Sequence, residues 1–185
     1  MTPTHTATIT KLTRAIKRDP QNADAYFDRG CLYYQKQNYT AALADFTRVI
    51  ELAPSDRSAY LNRGITYCNL HNYAAALADF EYVLTLEPED IDAYFMRGVT
   101  WHSLQGYGPA LDDYARVIQR DPEHTGAYYG IACIFALQGH PSVACIALEK
   151  AITLDEDLRH DARTDPDFNP VRHAPCFQAL TSPAE

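Results

Sequence analysis

The stretch Asn62–Phe80, NRGITYCNLHNYAAALADF, has near copies on both sides: Asp28–Phe46 reads DRGCLYYQKQNYTAALADF and Met96–Tyr114 reads MRGVTWHSLQGYGPALDDY. Gly30, Gly64 and Gly98 are 34 residues apart, and Ala132 continues the series. A repeated unit therefore sets the architecture. Within one unit, Tyr26, Arg29, Gly30 and Tyr33 recur at three- and four-residue spacing, as do Tyr39, Ala42, Phe46 and Val49. That is the period of two helices, each with one buried face. Between them lie QN, HN and QG, short turn signals that join antiparallel helices. Pro20, Pro54, Pro88 and Pro122 punctuate the units, because proline cannot continue a helix interior.

Small residues predict close packing. Gly30, Gly64, Gly98 and Ala132 leave room for the paired helix, and Ala42, Ala76, Ala110 and Ala144 do the same from the other side. Tyr39, Tyr73 and Tyr107 are expected to plug the gap at the turn. One correlation is internal to the chain. Arg29, Arg63 and Arg97 each precede an aspartate by sixteen residues, Asp45, Asp79 and Asp113, and in the fourth unit both positions change together to Ile131 and Ala147. The expectation is a partly buried ion pair in each of the first three units, because losing one partner alone strands a charge.

Composition narrows the class. The 185 residues are 46% apolar and 22% charged, with a formal net charge of −8. The acidic balance argues against a general nucleic-acid binder. No apolar run approaches a membrane span, and the N-terminus lacks a secretory pattern, so a cytoplasmic address is expected. Five cysteines at irregular spacing offer no disulfide framework and no CxxC metal pair. Seven histidines form no HExxH pair and accompany no GxSxG or phosphate loop, so no catalytic residue, metal or cofactor is expected and the chain is not read as an enzyme.

Period, small residues, aromatics and terminal prolines together resemble the tetratricopeptide repeat (TPR) family. The resemblance implies a right-handed all-α solenoid of antiparallel helix pairs, an α-α superhelix. It divides the chain into an N-terminal half-repeat helix (1–22), four units (23–56, 57–90, 91–124 and 125–158) and a C-terminal cap (159–185). In the tail, Leu158 and Ala162 are expected to form a short helix over the fourth unit. Pro166, Pro170 and Pro175 would then force an extended path, pinned by Val171, Phe177 and Leu180.

The resemblance also implies that the first helix of each unit lines a concave surface. The groove residues it selects are Phe27, Cys31, Tyr34, Leu61, Asn62, Ile65, Phe95, Val99, His102 and Tyr129. This lining is mostly apolar, a surface that water disfavours until something covers it. The implied function is a non-catalytic scaffold holding a peptide or protein segment, as an assembly or adaptor factor. The alternative is a structural homo-oligomer, its groove filled by a second copy or by the chain's own tail. A chaperone-tail clamp would need lysine, asparagine, asparagine, lysine and arginine where this chain has Phe27, Cys31, Asn62, Asp92 and Met96, so such tails are not expected to bind. Between Arg63 and Arg97 the charges are all acidic, Asp79, Glu81, Glu87, Glu89, Asp90 and Asp92, which suggests a basic partner.

Overall fold

The computed structural model describes residues 5–182, and every regular element among them is helical. In chain order these are α1 (His5–Arg18), α2 (Ala23–Gln35), α3 (Tyr39–Leu52), α4 (Arg57–Asn69), α5 (Tyr73–Leu86), α6 (Ile91–Ser103), α7 (Tyr107–Arg120), α8 (Thr125–Leu137), α9 (Pro141–Leu154) and α10 (Leu158–Thr164). A 3₁₀ segment (Pro166–Val171) and α11 (Pro175–Thr181) complete the series. The fold is the all-α array of helix pairs that the period predicts. Packing divides the chain into two compact units, 1–96 and 97–185.

The starts of α2, α4, α6 and α8 have a local cause. Asn22, Asp56 and Asp90 accept the backbone N–H three residues on, at 2.8, 3.0 and 2.7 Å, and His124 Nδ1 does so at 3.1 Å. These caps satisfy donors that the first turn leaves orphaned. The turns within pairs share one device. Gln37, His71, Gln105 and Gly139 have φ of 58°, 56°, 58° and 72°, and only the last is the residue type that adopts this region freely.

In the N-terminal unit, the ring of Phe46 lies against Gly30, where a Cβ would sit 2.8 Å from it, and Phe80 meets Gly64 in the same way at 2.6 Å. Both rings are fully buried. Arg29 Nε and Nη2 donate to the two oxygens of Asp45 at 2.8 and 2.7 Å, and Arg63 forks onto Asp79 at 2.9 and 2.7 Å. The third nitrogen of each fork reaches back one helix. Arg29 Nη1 donates to Thr13 at 3.1 Å, and Arg63 Nη1 to Thr47 at 3.4 Å. Thr13 of α1 thus stands to Arg29 as Thr47 of α3 stands to Arg63, so α1 packs on α2 as α3 packs on α4.

The acidic stretch is less free than its sequence suggests. Arg57 pairs with both Asp90 and Asp92, and Asp79 is taken by Arg63. Burial alone would raise the Asp90 pKa. The Arg57 guanidinium and the Ala93 N–H outweigh it and hold the carboxyl below its usual range. Asp79, Asp90 and Asp92, which would help to steer a basic partner, are therefore engaged within the unit.

In the C-terminal unit, Arg97 forks onto Asp113 at 2.9 and 2.7 Å, and Tyr114 replaces phenylalanine against Gly98. Gly130 receives the far edge of the same ring; a Cβ there would lie 2.6 Å from it. Ala132, Cys133, Ala136, Ala144, Leu148 and Ile152 form a core with the tail residues Ala162, Phe168, Val171 and Phe177.

The tail departs from expectation in two ways. It is not extended. Pro166 and Pro175 start helical turns, where a missing N–H costs nothing, and Pro170 sits within the 3₁₀ segment. The cysteines also do not all stay apart: Cys145 of α9 and Cys176 of α11 form a disulfide, with Cα atoms 6.2 Å apart. Their separation of 31 residues carries no recognisable motif, so only the fold of the tail brings them together. Cys31, Cys68 and Cys133 take no part in a disulfide.

Candidate peptide-binding face

The expected groove residues sit on the first helices α2, α4, α6 and α8, and each unit presents its share of them differently. In the N-terminal unit, Phe27, Cys31, Tyr34, Asn62, Ile65 and Phe95 are half-buried, and Leu61 is buried at 8% exposure. None belongs to the exposed large apolar residues, which are Leu70, Tyr82, Leu104, Val143 and Ile146. Part of each groove side chain therefore serves to join neighbouring helices. Phe27 meets the edge of Phe46 at 5.7 Å between centroids, and Tyr34 meets Tyr39 at 5.6 Å. Asn69 donates to the Tyr34 hydroxyl at 3.0 Å. Asn62 turns its amide onto the Ser58 carbonyl of its own helix at 2.9 Å.

The positions of the chaperone clamp hold no cation here. Asp92 stands where a lysine is needed and is itself paired with Arg57 at 2.8 Å, while Phe27, Cys31 and Met96 are uncharged. A terminal carboxylate brought to this face would meet an anion instead of a cationic fork.

In the C-terminal unit the same face is covered. The turn Asp165–Phe168 lies across α8. Tyr129 Oη donates to Asp165 Oδ2 at 2.9 Å, and the Tyr129 ring meets Phe168 edge-on at 5.6 Å. Cys133 Sγ is 3.9 Å from the same carboxylate oxygen. His102 Nε2 of α6 is 3.3 Å from Asp167 Oδ2. The turn is held in shape by its own backbone: Asp165 Oδ1 accepts the Asp167 N–H at 2.9 Å, and Arg172 donates to the carbonyls of Arg163 and Asp165. Burial, and then the hydrogen bond to Asp165, push the Tyr129 hydroxyl pKa well up. Burial, reinforced by the two aspartates, does the same to the Cys133 thiol. Burial and the Asp165 charge raise Asp167. A cavity of about 340 Å³ opens beside this turn, lined by His102, Ser103, Gln105, Tyr107, Leu137 and Asp167.

The sequence places His102 and Tyr129 on this face, and the structure brings both against the tail. Val99, also on α6, is half-buried. Asp165 and Asp167 escaped sequence reasoning. They lie outside the repeat, and the one available signal was an Asp-Pro-Asp-Phe run, the common form of a capped turn.

Known proteins share this fold. A family model described as tetratricopeptide repeat matches residues 23–56, and a second of the same description matches 125–158. No curated protein matches the chain. Among solved structures, the fold is similar to PilW, a widely conserved type IV pilus biogenesis factor, at 20% identity and TM-score 0.80 over 92% of this chain and 80% of that one. It is similar to YrrB, a TPR protein with an unusual peptide-binding site, at 20% identity and TM-score 0.69 over 91% and 88%. The first TPR of Spaghetti (RPAP3), bound to the HSP90 peptide SRMEEVD, matches at 28% identity and TM-score 0.56 over 59% of this chain and 86% of that one.

Proposed function

Because the chain belongs to the tetratricopeptide repeat family, we propose that it is a non-catalytic scaffold that holds a peptide or protein segment on the first-helix face of its N-terminal unit, as an adaptor or assembly factor. What supports this reading is the C-terminal unit, where a stretch of polypeptide, Asp165–Phe168, already lies on the equivalent face. The occupant there offers an aromatic ring to Tyr129 and carboxylates to polar groups at the wall. In the N-terminal unit no such segment comes from within the unit's own described residues, and Phe27, Cys31, Tyr34 and Ile65 keep part of their surface in contact with water. YrrB and the Spaghetti domain are peptide binders by description, and the proposal carries that role to this chain.

The test is capture by a Phe27→Lys/Ile65→Lys variant with unchanged helicity. Loss of the partners retained by the parent protein supports the face assignment, and equal capture overturns it. Mass measurement over a concentration series tests the homo-oligomer reading, which a concentration-independent monomer removes. The HSP90 peptide SRMEEVD is expected to give no measurable heat in a micromolar titration, because the positions of the clamp hold Asp92 and three uncharged side chains besides Asn62. On location, no helix of the described residues is long and apolar enough to cross a membrane. The sequence points to the cytoplasm, whereas the Cys145–Cys176 disulfide suits an oxidising compartment. Acid trapping of intact cells followed by alkylation under denaturing conditions separates the two, five alkylated cysteines meaning a reducing address and three an oxidising one.

A further inference from the structure

The tail turn gathers metal-ligating groups from three separate segments. Cys133 Sγ comes from α8, His102 Nε2 from α6, and the carboxylates of Asp165 and Asp167 from the turn between α10 and the 3₁₀ segment. Donor atoms of Cys133, Asp165 and Asp167 all lie within 4.8 Å of one another, and the first of these residues is buried. The thiol is 3.9 Å from Asp165 Oδ2, and the imidazole nitrogen is 3.3 Å from Asp167 Oδ2.

We propose that His102, Cys133, Asp165 and Asp167 form a binding site for a divalent transition-metal ion of the zinc type. Three arguments carry it. The donor set is one thiol, one imidazole and two carboxylates, the mixture of nitrogen, sulfur and oxygen that zinc accepts and that calcium and magnesium do not. The spacing suits three of the donors directly. Arms of about 2.0–2.3 Å place neighbouring ligand atoms about 3.3–3.8 Å apart; the Cys133–Asp165 separation of 3.9 Å is near that range, and His102, 3.3 Å from Asp167, completes the set by a side-chain movement toward the other three. Outer contacts are also in place. Tyr129 Oη holds Asp165 Oδ2, the Asp167 N–H holds Asp165 Oδ1, and Arg172 holds the Asp165 carbonyl, which fixes the orientation of the carboxylate. The cavity on the His102 and Asp167 side gives an ion access from solvent. A bound ion would tie the tail to two first helices at once. The inference stands apart from the peptide-holding reading, since it concerns the covered face and not the open one.

Titration of the full chain with Co²⁺ tests it, because thiolate ligation produces a sulfur-to-metal charge-transfer band that a carboxylate site lacks. One equivalent should saturate the band, Zn²⁺ should displace it, and the melting temperature should rise with either ion. The band should vanish in Cys133→Ala and persist in Cys31→Ala and Cys68→Ala. Tyr129→Phe should keep the band but weaken affinity about 10–100-fold. Should Cys133→Ala fail to fold, Asp167→Asn and His102→Ala serve in its place, each expected to cost at least about 100-fold in affinity. Absence of a thiolate band in the parent protein overturns the proposal. So does a band that survives Cys133→Ala, or affinity unchanged in both Asp167→Asn and His102→Ala.

Discussion

Cys31 and Cys133 occupy the same position in the first and fourth repeats, yet the first is half-exposed and the second is 2% exposed. The difference lies in the neighbour on the C-terminal side of each helix pair. Beyond the first pair stands another repeat, whose helices cover one side and leave the first-helix face half-buried. Beyond the last pair stands the tail, which bends Asp165–Phe168 across that face and buries Phe168 completely. A repeat face is thus neither groove nor core by its own composition. The array's end must cover apolar surface that a further repeat would otherwise cover, and here the covering segment reaches around onto the face that elsewhere stays open.

The largest effect is expected from removing the ring that seals the covered face. Phe168→Ala should cost about 3–5 kcal/mol by urea unfolding, as for other buried aromatic truncations. It should also bring Cys133 toward the thiol-reagent reactivity of Cys31, and an unchanged Cys133 would show that the ring does not cover it. Next comes the link between tail and array. Cys176→Ser opens a loop of 31 residues and should cost about 3.5 kcal/mol by the loop-closure estimate, with the N-terminal unit's exchange protection unaltered.

The ion pairs sharpen the contrast between early repeats and the last. Asp45→Ala strands Arg29, whose side chain is 15% exposed, and should cost about 3 kcal/mol, toward the lower end for a buried pair. Adding Arg29→Ile reproduces the fourth unit's combination of Ile131 and Ala147 and should restore more than half of that loss. If the double variant is no better than the single one, the apolar pair of the fourth unit is not equivalent to the ionic pair. The smallest effect belongs to the turns. His71→Gly relieves a non-glycine residue at φ 56° and should leave stability equal or raise it by up to about 1 kcal/mol, as Gly139 already does for the fourth turn.

Much of the candidate site was legible where the period reaches. His102 and Tyr129 could be assigned to the first-helix face through the resemblance to tetratricopeptide repeats, and Arg29 and Asp45 could be paired because a sixteen-residue offset recurs. Leu61 could not be told from its half-exposed neighbours, because a 34-residue period gives the face of a helix but not the depth to which a partner helix buries it. The tail was legible only in part. Its apolar residues announced that it packs, but its prolines read as breaks when two of them are helix starts.

By itself the sequence determined the helix pairs, their turns, and the charge partners within a pair, because each depends on residues a fixed and short distance apart. Tertiary structure alone decided that Cys145 meets Cys176, that Arg57 claims Asp90 and Asp92, and that Asp165 and Asp167 come to rest between His102, Tyr129 and Cys133. Those contacts join residues about 30 or more apart with no periodic relation that a single sequence displays. Their geometry is set by where the tail finds apolar surface to cover, a property of the assembled array rather than of any segment within it.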